Sequence, residues 1–135
     1  MSLERFVRVQ EGVYPRALAE LKAGKKQSHW MWFIFPQVAG LGHSAMAQMY
    51  AIASLDEARA YLAHPLLGAR LRECCQAVLA VEGKTAHQIF GSPDDLKLRS
   101  SLTLFDLASA RDIFRAVLEK YYDGDADPLT LQKLQ

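Results

Sequence analysis

Apolar residues recur along most of this chain at spacings of three and four, the period of a helix that buries one face. Leu67, Leu71, Cys74 and Val78 show the pattern clearly, and Ile113, Phe114, Val117, Leu118 and Tyr121 repeat it near the end. Helix punctuation falls where these stretches begin and stop. Leu3 to Val9 reads as a short helix broken at Glu11-Gly12, and Pro15 opens a second helix that runs to about Ala23, ahead of Gly24. Ser44 is placed to cap a helix through Ala51. Ser54 and Glu57 have the spacing of a capping box, opening a helix to about Ala63. His64-Pro65 restarts a helix that Gly83 ends. Thr85 caps a short helix to Phe90, and Gly91-Ser92-Pro93 is a turn that puts Ser92 at an N-cap with Pro93 at the first helical position.

The helix predicted from Pro93 to about Ala108 has a different pattern. It carries Leu96, Leu98, Leu102, Leu104, Phe105 and Leu107, apolar on more than one face, which marks it as the central buried element. Asp123 to Pro128 reads as a polar linker, followed by a short helical turn from Thr130 to Leu134. Neither an internal repeat nor a convincing hairpin signal interrupts this order. The expected architecture is all-α, a single domain over residues 1–135 built from about seven or eight short helices.

Composition narrows the class. A chain of 135 residues can bury its own core, and 50% hydrophobic with 23% charged residues is an ordinary globular balance. Sixteen basic against fifteen acidic side chains leave a net charge of +1, which argues against nucleic-acid partners held by phosphate neutralisation. Lys22, Lys25 and Lys26 form a small basic cluster that a solvated helix end explains. Cys74 and Cys75 are adjacent, so on a helix their side chains diverge by about 100°. Two thiols without metal-type spacing fit a reduced compartment. The first residues lack an apolar signal core, and no apolar run approaches the roughly 18 residues of a membrane span. The expected address is the cytoplasm, with no membrane partner.

Familiar catalytic and binding motifs fail one by one. Gly40-Leu41-Gly42 lacks the third glycine of a dinucleotide fingerprint, and no P-loop or Gly-x-Ser-x-Gly is present. No two of His29, His43, His64 and His87 have zinc-type helical spacing, so neither a metal nor a cofactor is expected. His64 reads as part of a helix junction.

Two segments survive this sieve. Ser28 to Gln37 holds both tryptophans, two of the six phenylalanines and one of the four histidines. Periodicity leaves it either a short buried strand or a helical turn leading into a loop. As a site it offers Trp30 or Trp32 as a stacking face, His29 for proton transfer and Gln37 for a polar edge. As plain structure it is core filling. The second segment runs from Ser92 to Phe105. Asp94 and Asp95 suit the first turn of a helix, where the macrodipole favours negative charge. Asp94, Lys97 and Ser101 also share one face, a polar stripe in an otherwise apolar helix. Such a stripe needs partners, either a ligand or a neighbouring helix end.

At these segments the chain resembles a known family. His29-Trp30-Met31-Trp32-Phe33, Phe35-Pro36-Gln37, Gly40-Leu41-Gly42, Tyr50, Ser54-Leu55 with Glu57-Ala58, and Tyr61-Leu62 carry the first part of the likeness. Leu67-Gly68 with Arg70-Leu71, Phe90-Gly91, Asp94-Asp95-Leu96-Lys97-Leu98 and Ser100-Ser101 carry the rest. Together they are similar to the bacterial "domain of unknown function 1810" family over about residues 5–122. Ser101-Leu102-Thr103-Leu104-Phe105 departs from that family's Ser-Met-Thr-Leu-Phe by one volume-conserving swap. The resemblance implies a mostly helical domain and no established activity. The calpastatin label sometimes attached to members carries no weight, because such an inhibitor would be a long disordered repeat and this composition is not.

Three functions remain open at this level. The first is a small-molecule, nucleotide-like pocket formed by the aromatic segment and the Asp94–Ser101 helix. The residues expected around its ligand are His29, Trp30, Trp32, Pro36, Gln37, Gly40, Gly42, Asp94, Asp95, Lys97, Ser100 and Ser101. The second is an N-glycosidase or hydrolase acting on a nucleotide or ADP-ribose-like substrate. There Asp94, Asp95 and His29 would be the catalytic candidates, a carboxylate stabilising an oxocarbenium-like centre. The third is a protein-interaction or oligomer subunit without a ligand, with Trp30 and Trp32 buried between chains.

Overall fold

The computed structural model describes residues 2–135, and nine helices occur among them. Helix α1 (Glu4–Lys22) is continuous through Gly12 and Pro15, where two helices with a break were expected. Both residues lie on its exposed face. The carbonyl that Pro15 leaves without a helical donor belongs to Glu11, also exposed, so water can satisfy it. The opposite face buries Phe6, Gln10, Ala17 and Leu21, which holds the helix to the core across the weak point.

The aromatic segment resolves into a single helical turn, α2 (Met31–Ile34), followed by an extended stretch. Val38 and Ile52 form an isolated parallel bridge. In it the Ala39 N–H donates to Ile52 and the Ile52 N–H donates to Gln37, both at 2.8 Å. Helix α3 (Ala45–Met49) is capped by Ser44, whose hydroxyl accepts from the Ala47 N–H. Helix α4 (Leu55–Ala63) is capped by Ser54 in the same way, but Glu57 reaches back to the Ala53 N–H at 2.8 Å rather than to Ser54. The complete capping box lies at α6 (Ala86–Phe90), between Thr85 and Gln88. Between them α5 (Leu67–Ala80) begins where His64 Nδ1 accepts the N–H groups of Leu66 and Leu67.

Helix α7 (Asp94–Ala108) packs against α4, α6, α8 (Ile113–Tyr122) and α9 (Pro128–Lys133), while α5 ties together α1, α4 and α8. The central position expected for α7 holds over Leu98 to Phe105, whereas Leu96 and Leu107 near its ends are 58% and 44% exposed. Its N-cap is Pro93, not Ser92. The Gly91 carbonyl accepts the Asp95 N–H at 2.9 Å, and Ser92 makes no capping bond. One glycine is required by packing: a Cβ on Gly68 would stand 2.1 Å from the Leu62 carbonyl oxygen, so α4 and α5 meet backbone to backbone there.

The polar stretch before α9 is fastened down. Arg99 donates to the carbonyls of Asp125 and Ala126 at 2.8 and 3.0 Å, and the Asp127 N–H donates to Thr103 Oγ1 at 2.9 Å. Ser100 Oγ donates to Asp127 Oδ2, which also receives the Thr130 N–H and hydroxyl as the cap of α9. Thus α9 forms a fixed wall against α7. No described helix is long and apolar enough to cross a membrane. Cys74 and Cys75 are buried free thiols. Burial pushes Cys74 up to about 12 and Cys75 well above its ordinary range, which keeps both protonated at neutral pH.

Candidate functional site

The aromatic segment is pinned to α1 through one carboxylate. Glu20 accepts from the N–H groups of Gln27 and Ser28, from the Ser28 hydroxyl at 2.7 Å, and from Trp30 Nε1 at 2.8 Å. Desolvation alone would raise its pKa, but these four donors outweigh that and hold it down to about 2. The loop is therefore anchored by an ionised acceptor. Trp30 itself is a core residue, 1% exposed, packed near Phe35 and Phe90. It is not an open stacking face, and it is already buried within its own chain. Trp32, half-buried, is the tryptophan left at the surface.

Lys26 and Lys97 connect this segment to α7. The Lys26 ammonium stands 2.8 Å from Asp94 Oδ2 and 5.0 Å from the centre of the Trp30 ring. The Lys97 ammonium stands 3.4 Å from Asp94 Oδ1 and 4.7 Å from the centre of the Trp32 ring. Each tryptophan thus carries a cation near its ring, and one carboxylate bridges the two cations. The sequence places Lys26 in a solvated cluster, yet its side chain is only 7% exposed. Its position depends on packing against residues far along the chain, and no local spacing signals it.

Around this bridge lies a hollow of about 280 Å³, lined by Lys26, His29, Met31, Trp32, Ser92, Pro93, Asp94 and Lys97. A second hollow, about 410 Å³, shares Pro93 and Lys97 with the first. It is lined by Gln37, Leu41 and Gly42, by Leu96, Arg99 and Ser100 of α7, and by Asp127, Pro128 and Leu129 at the start of α9. A larger hollow, about 560 Å³, lies elsewhere, over Ser2, Glu4, Arg5, Arg8, Val9 and Tyr50. Its inner cation, Arg5, is already committed to the carbonyls of Met49 and Ala51 and to Glu57. That leaves it little capacity to recognise a further group.

The residues singled out from the sequence divide accordingly. His29, Trp32, Asp94 and Lys97 meet at the first hollow, and Gln37, Gly42 and Ser100 at the second. Asp95 does not join them: its carboxylate accepts the Leu96 N–H and lies 3.4 Å from His87. Asp94 and Asp95 therefore serve different surroundings and form no carboxylate pair. Pro36 is buried, and Gly40 packs beside Lys133. Ser101 is buried too, and among the described residues its hydroxyl has no hydrogen-bond partner. Leu41, Leu96 and Leu129 belong to the second hollow without having been anticipated, since an exposed leucine carries no signal of its own. Among the described residues no three His, Cys, Asp or Glu side chains are grouped to hold a metal ion.

Comparison with known proteins places this architecture. The crystal structure of the conserved hypothetical protein Rv1873 from Mycobacterium tuberculosis is 53% identical in sequence, with a TM-score of 0.96 over 98% of this chain and 95% of that one. No curated protein matches the chain. The sequence pattern of one family, described as protein of unknown function (DUF1810), matches residues 1–134, and the chain belongs to that family.

Proposed function

We propose that this protein is a small-molecule binding domain whose site is the seam between the His29–Gln37 segment and α7, and that its ligand is anionic and nucleotide-like. The observation that carries this reading is the convergence of two distant stretches on one hollow. Lys26 and Lys97 bring two positive charges to the Asp94 carboxylate there, beside Trp32 and His29. An anion entering the hollow meets a surplus of positive charge against low-dielectric aromatic walls, the setting in which a charge-assisted contact is strongest.

Binding is favoured over turnover by the state of the carboxylates. Asp94 is bridged by two lysines, and Asp95 is turned toward His87, so the seam offers no acid–base carboxylate pair. The test is a thermal-shift and amide chemical-shift survey over nucleotides, nucleotide sugars and phenyl phosphate, run on the wild type and on Lys97→Met. The expected result is stabilisation of the wild type, with shifted amides confined to residues around Trp32 and Lys97. Lys97→Met removes the ammonium that stands over Trp32, keeps an unbranched side chain, and should abolish the effect. Stabilisation that survives intact in Lys97→Met, or shifts confined to the Arg5 hollow, would overturn the assignment.

A further inference from the structure

We infer that the two hollows flanking Lys97 are halves of one site for a nucleoside monophosphate, with the base in the Leu41–Leu96–Leu129 groove and the phosphate at Lys97, whose ammonium is the more exposed of the two lysines beside Asp94. This rests on the seam being the binding site and goes further by naming the ligand class and its orientation. Pro93 and Lys97 line both hollows, so the two adjoin across these residues. The two differ in chemistry: one gathers Lys26, His29, Asp94 and Lys97, while the other is walled mainly by leucine, proline and glycine.

Stacking on tryptophan, the obvious place for a base, is taken up within the protein. Trp30 is buried and the Lys97 ammonium stands over the Trp32 ring. In the groove, by contrast, Leu96 and Leu129 are 58% and 59% exposed, the two most exposed large apolar side chains described. A flat ring between them removes that surface from water. Most polar groups of the groove are already satisfied: Arg99 by Asp125 and Ala126, Ser100 by Asp127, and Asp127 by the α9 cap. Of the polar groups of Gln37, only the main-chain carbonyl has a partner among the described residues, the Ile52 N–H. Its side-chain amide presents one donor face and one acceptor, the complement of a nucleobase edge.

Charge sets the length of the phosphate chain. Lys26 and Lys97 against Asp94 leave one net positive charge in the first hollow. A phosphate monoester carries about −1.5 to −2 at pH 7. A triphosphate would exceed what these groups neutralise, and Arg99 is held by the Asp125 carboxylate at 3.5 Å.

Isothermal titration of the full chain with the four common nucleoside 5′-monophosphates, their nucleosides, their triphosphates and phenyl phosphate tests the inference. At least one monophosphate should bind about tenfold or more tighter than its nucleoside, its triphosphate and phenyl phosphate. Leu129→Asp, at an exposed position where folding is spared, should weaken that monophosphate about tenfold, the scale of one lost leucine contact. If phenyl phosphate binds in a Lys97-dependent way but no monophosphate exceeds it, the orientation is wrong and the seam stands. A triphosphate that binds as tightly as the monophosphate, or a Leu129→Asp variant with undiminished affinity, also overturns the inference. Absence of binding by every probe overturns the seam reading itself.

Discussion

Glu20 on α1 accepts the indole N–H of Trp30 at 2.8 Å, joining the first helix to the aromatic segment through a single ionised side chain. The same carboxylate takes three more donors from Gln27 and Ser28. Trp30 is thereby fixed beside Phe35 and Phe90, and Lys26 and Trp32 are set on either side of Asp94. Replacing Glu20 by Gln keeps the shape but removes the charge and half the acceptor capacity. Hydrogen bonds to charged groups contribute about 1.5–3 kcal/mol each, and partial compensation by the amide leaves an expected loss of about 1–2 kcal/mol in urea unfolding. Phenyl phosphate affinity should fall with it, because the loop that carries Lys26 loosens.

The acid limb of stability should report the same residue. Glu20 is held near 2 in the folded chain against an ordinary 4.5. Its ionised contacts therefore contribute fully above about pH 4.5 and are lost as the pH falls through about 2. The stability difference between wild type and Glu20→Gln should be constant at neutral pH and shrink across that window. A difference that stays flat down to pH 2 would show that the four donors do not stabilise the charged form.

Cys74 and Cys75 should be silent toward thiol reagents in the native state. With a thiol near 12, the thiolate of Cys74 at pH 8 is about one part in ten thousand, and burial likewise holds Cys75 well above its ordinary range. Both are fully buried as well. Mass spectrometry after iodoacetamide should find neither modified in buffer and both modified in urea. Rapid native labelling of either would contradict the packing of α5 against α1 and α8.

What could be read from the sequence was what local chemistry decides. Ser44, Ser54 and Thr85 cap because their hydroxyls reach an N–H within the same turn, and the α8 stripe is a property of ten consecutive residues. The Gly12-Pro15 misreading has the same origin: a breaker is weighed locally, whereas its cost depends on which face the fold leaves wet. The pairing of Trp32 with Lys97 joins neighbouring segments only after α7 packs, and Lys26 is buried by contacts that no spacing encodes. The apolar groove was illegible for a related reason. Its walls come from residues 37–42, 93–100 and 127–129, brought together by Arg99 and Asp127 holding α9 on α7.

The solvent-facing breakers of α1 offer a gain in stability. A Cβ on Gly12 meets nothing within 4 Å, so Gly12→Ala adds no clash and removes the glycine penalty of about 0.5–1 kcal/mol in a helix interior. Pro15→Ala restores an N–H to a helical bond, with a gain of up to about 3 kcal/mol. Both variants should raise the thermal midpoint, and combining them should be close to additive if the helix keeps its path. A fall in midpoint for Pro15→Ala would mean that the helix path set by this proline is needed for Gln10 to reach Phe33 and Tyr61.

Gly68→Ala should do the opposite. The added methyl would stand 2.1 Å from the Leu62 carbonyl oxygen and 2.9 Å from Arg72 Nη1. The arginine can swing aside, but the carbonyl belongs to the backbone of α4 and cannot. Relief requires α4 and α5 to separate, and α4 also packs on α7, which lines the groove together with Gln37 and Leu129. Overpacking of a fixed core costs about 1–3 kcal/mol, and a backbone clash this close belongs at or beyond the upper end. Chemical denaturation should show that loss, and the Arg72–Asp112 ion pair at 2.9 Å should weaken as α5 shifts. A Gly68→Ala protein of undiminished stability would refute the close α4–α5 contact on which this packing depends.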